Sequence, residues 1–457
     1  MSFVTFCKVQ FRVVPFMNST TANPAERPTR TRYWILLFLF LITTVNYADR
    51  ATLSIVGTDL SKQLGFDAVA MGYVFSAFAW AYVVCQIPGG WLLDRFGSKR
   101  IYWWSITLWS LFTLLQGCIG WIPPAAALVT LFALRFLLGV AESPSFPANA
   151  RIVAAWFPTA ERGMASAIFN SAQYFATVLF SPIMGWITHT FGWPPVFWFM
   201  GAVGLVIAAV WPRLMHGPRD HPGANAAEIA HIERGGGLVD LDRRGAAAAP
   251  VRWATIGQLL ANRMLVGIYL GQYCITTLTW FFLTWFPIYL VKERGMSILQ
   301  VGFAAALPAL AGFIGGVLGG WFSDWLLRRG CSLTFARKTP IVAGMLLSVS
   351  MVACNYVSSQ TVVMLCMSLA FFGKGVGALG WAVIADTSPK HVTGLCGGLF
   401  NTFGNTAGIV TPIAIGYILQ ATGSFNWALV YVSAHAALAI ASYLLLVGEI
   451  KRVELPT

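Results

Sequence analysis

The chain has 457 residues, of which 57% are hydrophobic and only 10% charged, with a mean hydropathy of +0.68. A soluble chain carries roughly 25% charged residues, so a water-facing surface is excluded and lipid is the natural solvent. The formal charge of +13 does not indicate nucleic acid. The basic residues form no stripe and no aromatic-interleaved patch, and fall instead in short loops between apolar runs.

The opening segment, Met1 to Pro15, lacks an early basic region and a small-residue cleavage site. It reads as part of a cytoplasmic N-terminal tail (1–32), with Met17 as a second candidate start. A spanning helix needs about 20 mostly apolar residues, and twelve runs qualify: 33–56, 70–93, 101–120, 125–146, 164–188, 194–212, 263–291, 300–322, 339–357, 361–385, 394–419 and 427–447. One long polar segment, 213–254, lies between the sixth and seventh and holds Pro218, Pro222, Gly235 to Gly237 and Ala246 to Ala249. It reads as a cytoplasmic linker between a bundle over 33–212 and a bundle over 255–448, with 449–457 as a C-terminal tail. His216, His221 and His231 in that linker are expected to be solvated. The expected fold is therefore an all-α membrane protein, with twelve transmembrane helices in two pseudo-symmetric six-helix bundles.

Orientation follows from the basic residues. Of 30 Lys and Arg, only Lys62, Lys292 and Arg294 fall on one side, while Arg50, Arg135 and Lys374 lie inside spans. The rest fall on the other side, which is the cytoplasm on this rule and holds both termini. The halves repeat: Gly89-Gly90-Trp91-Leu92-Leu93-Asp94 returns as Gly319-Gly320-Trp321-Phe322-Ser323-Asp324, and Gly163, Phe169, Asn170 and Pro182 return as Gly394, Phe400, Asn401 and Pro412. A duplication of six-helix units places a ligand between the halves, exposed to alternate sides by rocking.

The eight cysteines, Cys7 among them, form no CxxC pair and have no His at ligand spacing. No disulfide framework, metal or other cofactor is expected, and no nucleophile–base set that would mark an enzyme is present.

Ionisable residues in hydrocarbon cost at least about 2.5–3.5 kcal/mol each, so each needs a reason. The first span holds Tyr47, Asp49 and Arg50, the fourth holds Arg135 and Glu142, and the tenth holds Lys374 with Trp381 two turns on. A guanidinium offers a charged planar fork to a carboxylate, so two Arg and one Lys form a cradle for an anion with more than one carboxylate. A carboxylate out of water takes up a proton more readily, which makes Asp49 and Glu142 the candidates for proton coupling. The bland alternative is a structural Arg135–Glu142 ion pair, and Lys374 can also snorkel. Polar side chains complete a cavity: Tyr82, Asn170, Gln173, the stripe Tyr269, Gln272, Tyr273, Thr276 and Thr277, and Asn401 with Asn405. Amides and phenols both donate and accept, which suits a polyhydroxylated ligand.

The hairpin after the second span reads Gly90-x-x-x-Asp94-Arg95-x-Gly97-x-Lys99-Arg100, a charged cluster that can latch the cytoplasmic face. It resembles the loop motif of the major facilitator superfamily. The runs 46–54, 86–100, 169–177 and 372–375 further resemble the bacterial glucarate/galactarate permeases of the anion:cation symporter (phthalate permease) family, from about Tyr33 to the C-terminus. The resemblance implies proton-coupled uptake of a small organic anion, a sugar-derived dicarboxylate, by a protein of the bacterial inner membrane taken as a monomer. It places ligand contacts on Tyr47, Arg50, Tyr82, Arg135, Gln173, Trp381 and Asn401, and proton coupling on Asp49 and Glu142. Hexonate carriers of the family show small hydroxylated residues just before that Trp. Ala378-Leu379-Gly380 stand there instead, and Lys374 becomes the candidate second anion-binding point. The alternatives are an aldonate or aromatic-acid symporter on the same scaffold and a sensor that no longer transports.

Overall fold

The computed structural model describes residues 27–159, 161–242, 253–389 and 392–454. Residues 1–26 with Met17 and Cys7, the linker's 243–252 and the last residues of the C-terminal tail lie outside that description. Twelve long helices are present: α1 (Thr31–Leu64), α2 (Ala68–Phe96), α3 (Ser98–Gln116), α4 (Ala126–Trp156), α5 (Arg162–Phe191), α6 (Pro194–Leu214), α7 (Arg263–Thr284), α8 (Ile298–Arg328), α9 (Leu333–Tyr356), α10 (Gln360–Thr387), α11 (Thr393–Thr422) and α12 (Asn426–Leu446). Ten are both long and apolar enough to cross a membrane. The other two, α3 and α5, carry more polar residues and bring the first bundle to six.

Several spans depart from their expected outlines: α1 runs on to Leu64, and the seventh expected span is divided into Arg263–Thr284 and Phe286–Lys292. α4 runs ten residues past the expected end at 146 and is interrupted at Ser143-Pro144, between Pro124–Glu142 and Ser145–Trp156. Proline has no N–H to give and its ring crowds the preceding turn. α10 is likewise interrupted at 377–379, between Gln360–Val376 and Gly380–Thr387.

The halves meet along two seams that the duplication relates. In one, a methyl placed on Gly72 of α2 would lie 2.7 Å from the Pro412 carbonyl oxygen of α11, and one on Gly416 would lie 2.7 Å from the Ala68 carbonyl oxygen. In the other, a methyl on Gly302 of α8 would lie 2.7 Å from the Ser181 carbonyl oxygen and one on Gly185 of α5 would lie 3.1 Å from that of Ile298. Small residues let backbones approach this closely. Both seams lie at the ends of the helices away from the face that carries the chain ends, referred to as the basic face. At the basic face the halves part: Gly90, Gly163, Gly320 and Gly394 have open space around them, and Ile87, Trp91, Trp321 and Trp381 are exposed.

The linker is not a free spacer over its described part. Asn225 caps the helix Ala226–Arg234 by accepting from the Glu228 N–H at 2.9 Å. The buried Glu228 carboxylate accepts from the backbone N–H groups of Thr31 and Arg32, both at 3.1 Å, and from the Arg32 guanidinium at 3.2 Å. Arg32 also reaches Glu161 at 3.0 Å. Asp242 accepts from the Ser98 N–H at 2.9 Å and from Arg151 at 3.1 Å. The three histidines are correspondingly engaged rather than simply solvated. Trp156 donates to the His216 carbonyl at 3.1 Å and meets the His221 ring edge-on at 5.4 Å, while His231 lies 3.4 Å from Glu161. The polar composition that marks a linker also supplies docking partners for the basic face.

Partial burial works against the charge on Glu161, yet the Arg32 hydrogen bond and charge, with His231, hold its carboxyl below its usual range. Burial lowers His216, with Lys99 adding to it, and burial lowers His221, with His216 adding to it. A docked linker thus binds fewer protons than an undocked one, so the imidazole contribution to docking is complete above pH 6.5 and is lost as pH falls through the lowered values. Amide-exchange protection of residues 215–242 should therefore decline as pH is taken below 6.5; protection that holds or rises on acidification contradicts this. The seams make a second prediction. Gly302→Val overpacks a backbone contact, at a cost of about 1–3 kcal/mol, borne only where the seam is closed. The α5–α8 separation measured by spin-label distances should shift to longer values, with helix content unchanged.

Candidate substrate site

Tyr47 and Arg50 are three residues apart on α1 and share a face; Arg50 points to α4. Its Nε donates to Glu142 Oε2 at 2.8 Å, with both side chains buried. The Arg50 guanidinium lies over three rings, Tyr47 at 4.8 Å, Phe78 at 4.6 Å and Tyr82 at 4.9 Å. Arg135 of α4 lies over the same Phe78 ring at 6.0 Å, and Phe78 in turn stacks on Tyr82 at 5.2 Å. The two guanidinia thus share one aromatic neighbour, and ring faces attract cations.

Asp49, one residue from Arg50 and roughly 100° round the helix, is 1% exposed, and neither carboxylate oxygen has a hydrogen bond among the described residues. Arg135 is equally buried, with Nε and Nη1 unbonded. Asp49 and Arg135 lie within electrostatic reach of each other and of Glu142. Two acids and two guanidinia from α1 and α4 therefore form one cluster, in which Arg50 and Glu142 are bonded while Asp49 and Arg135 are loose. The expected alternative of an Arg135–Glu142 pair is replaced by the Arg50–Glu142 bond, because Glu142 faces α1.

Tyr47, Gln173 and Tyr174 line a small cavity of about 60 Å³ between the halves, opposite Thr279, Phe282 and Phe371. Gln173 donates to the Asn170 carbonyl at 3.1 Å. From the C-terminal half, Lys374 is buried with its Nζ over the Tyr174 and Phe371 rings at 5.6 and 5.1 Å. Trp381 is 56% exposed and packs edge-on to Phe400 at 4.9 Å. Asn401 donates to Gln86 of α2 at 2.9 Å, a bond that joins the halves, and accepts from Asn405 at 3.0 Å. The α7 stripe divides between neighbours. Gln272 donates to Thr276 at 3.2 Å and lies beside Gly380 and Gly404, whereas Tyr269 stacks on Phe403 at 5.3 Å. Tyr273 turns to α12, 5.8 Å from the His435 ring. A stripe that wide touches two helices, so spacing alone does not place all of it in the cavity.

The loop motif is engaged within its own half. Asp94 pairs with Arg151 of α4, Arg95 lies over Trp91 and Phe96 at 5.4 and 5.5 Å, and Gly97 at φ +81° turns α2 into α3. The Lys99 carbonyl accepts from Trp211 at 2.8 Å, while Arg100 is exposed. The second copy is built alike, with Arg337 joining Asp386 at 2.9 Å and Asp324 at 3.4 Å. Among the described residues no ion pair crosses between halves, in keeping with the open basic face. Sequence reasoning did not single out Phe78, Gln86, Arg151 or Tyr174. Phe78 could have been found, since it lies one turn from Tyr82 on the same face.

Two bundles related by duplication, with buried charges beside the interface between them, define a membrane transporter that works by alternating exposure. The sequence profile of the Major Facilitator Superfamily matches residues 39–336, and the chain belongs to that superfamily; it is a transporter and not an enzyme. It is 61% identical to the probable galactarate/D-glucarate transporter of Escherichia coli K12 over 440 residues, covering 96% of this chain and 98% of that one. It is 63% identical to the protein of the same description in Bacillus subtilis over 436 residues, covering 95% and 96%. Among solved structures it resembles the D-xylose–proton symporter, with a TM-score of 0.71 at 15% identity over 92% of this chain and 98% of that one, a likeness of fold.

The bonded pair can be tested without reference to transport. Glu142→Leu leaves the Arg50 charge buried and unpaired, which should lower stability by about 3–5 kcal/mol. The Arg50→Leu/Glu142→Leu double variant should recover most of that loss. Thermal denaturation of the purified protein measures both, and additive single effects would show that the pair is not coupled.

Proposed function

We propose that the protein takes up a hexaric dianion, galactarate or D-glucarate, together with protons, across the bacterial inner membrane. The observation that carries this reading is Arg135, a fully buried guanidinium with two unbonded nitrogens, in the same α1–α4 cluster as Arg50. Such a group calls for an anion, and a planar fork suits a carboxylate. Tyr47, Tyr82, Gln173, Gln272 and Asn401 supply donors and acceptors for hydroxyls, with Trp381 at the open side. The high identity to proteins described as galactarate/D-glucarate transporters over their full length supports the choice of anion.

The concentration of Lys and Arg on the face that carries the chain ends supports a cytoplasmic basic face with both termini inside. On that orientation the structure is an inward-open state, closed toward the periplasm by the glycine seams. The charges give a coupling rule. With Asp49 and Glu142 ionised, the buried set of Arg50, Arg135, Lys374, Asp49 and Glu142 carries one net positive charge; a dianion entering with one proton on each acid leaves that charge unchanged. Site charge then stays constant through the cycle when two protons accompany each dianion, and a single monomer suffices.

Proteoliposome uptake of labelled galactarate tests this directly. An imposed pH gradient, acid outside, should drive accumulation, whereas an imposed membrane potential alone should not. Asp49→Asn and Glu142→Gln should each abolish accumulation driven by the pH gradient. Accumulation driven by potential alone, or full accumulation in both variants, contradicts the coupling.

A further inference from the structure

Lys374 is the one buried charge of the C-terminal half among the described residues, and it makes neither a hydrogen bond nor an ion pair there. Its place is fixed by its neighbours in sequence. Gly373 packs against the backbone of Gly344 on α9, and Gly375 packs against Gly312 and Gly316 on α8. A residue wedged between two such contacts has its side chain directed away from both helices, and Lys374 reaches across to the other half. There its ammonium meets only ring faces, Tyr174 of α5 at 5.6 Å and its own neighbour Phe371 at 5.1 Å, both of which line the cavity between the halves. Depth agrees as well. Arg50 lies fourteen residues from the Leu64 end of α1, and Lys374 lies fourteen residues from the Gln360 end of α10. Both are therefore about 21 Å from the same face.

Resting on the hexarate reading above, we infer that Lys374 is the specificity-determining residue for a diacid: it holds the second carboxylate of the ligand whose first is held by the guanidinia of α1 and α4. Ring faces attract the ammonium but do not neutralise it, so an anionic group is the partner it lacks. A hydroxymethyl group at that end of the ligand leaves the ammonium without its counter-charge, and a site built for a charged partner rejects an analogue that lacks it. The same contact joins the halves through the ligand, because one carboxylate is bound by the N-terminal half and the other by the C-terminal half.

Galactarate and galactonate form the matched pair for the test, since they share their hydroxyl stereochemistry and differ only in a terminal carboxylate against a hydroxymethyl. Inhibition of labelled galactarate counterflow by each compound is measured for the wild type, Lys374→Gln and Lys374→Arg. A charged hydrogen bond is worth a factor of at least about ten. Lys374→Gln should therefore weaken galactarate by that factor or more and leave galactonate within about twofold, while Lys374→Arg retains the diacid preference. Should Lys374→Gln lack counterflow altogether, ligand-induced thermal shifts of the purified protein give the same comparison. An unchanged galactarate-to-galactonate ratio in Lys374→Gln overturns the inference. Equal weakening of both compounds also overturns it, by showing a merely structural lysine. A wild type that binds neither compound fails the hexarate reading instead, and is told apart by that control.

Discussion

Charge removed from water has to be answered by other charge, and the interior of this protein is arranged around that requirement. Arg50 and Glu142 answer each other at 2.8 Å, and three aromatic rings cover the guanidinium. Asp49 and Arg135 stand in the same cluster without hydrogen bonds. The bonded pair fixes the two helices until Glu142 takes up the proton proposed for it, whereas the unbonded pair has capacity for a ligand or a proton from the outset. The bonded pair holds α1 to α4 and keeps the loose pair at its depth, so the first makes the second possible.

The second constraint is steric, and it concerns which face can open. Four glycines, Gly72, Gly185, Gly302 and Gly416, bring backbones of opposite halves together at one end of the molecule. Their equivalents are generated by the same duplication, so closing one seam and closing the other are matched operations. At the other end the ion pairs run within halves: Asp94 to Arg151 in the first, and Arg337 to Asp324 and Asp386 in the second. Each half therefore retains its own charged base when the bases part. Opening this face breaks no ion pair among the described residues, which makes it compatible with rigid-body rocking.

Much of this was legible in the sequence because membrane proteins write their constraints in long words. Twenty-residue apolar runs, a one-sided distribution of basic residues and a repeat of about 230 residues survive any uncertainty about individual positions. The buried Asp49, Arg50, Arg135, Glu142 and Lys374 were conspicuous because hydrocarbon makes each one costly. Pairing was less legible. Adjacent positions on a helix diverge by about 100°, so sequence could say that Asp49 and Arg50 differ in outlook but not that Arg50 would take Glu142. Tyr273 shows the same limit, since its stripe serves two neighbouring helices. The docked linker was obscured by composition, for Glu228 and Asp242 look like ordinary solvated acids until Arg32, Ser98 and Arg151 are seen beside them. A signal was nevertheless there: Asn225 with Glu228 three residues on is a helix-start signature.

The two halves are unequal in a way that bears on how a ligand can move them. The N-terminal half contains four of the five buried mid-span charges and is braced at its base by the linker, whose Glu228 accepts from Thr31 of α1 and whose Asp242 accepts from Ser98 of α3. The C-terminal half contains one, on a helix held by close glycine contacts to α8 and α9. A ligand shifts a conformational equilibrium only by binding one state better than the other, so contacts confined to the N-terminal half would leave the rocking equilibrium where it was. What a ligand gains from closure has to come from groups that closure brings near. Lys374 is the buried charge of the C-terminal half among the described residues, and it already reaches Tyr174 of the opposite half. On the role proposed for Lys374, recognition and movement draw on the same contact, and a ligand too short or too poorly charged to span the interface loses both together.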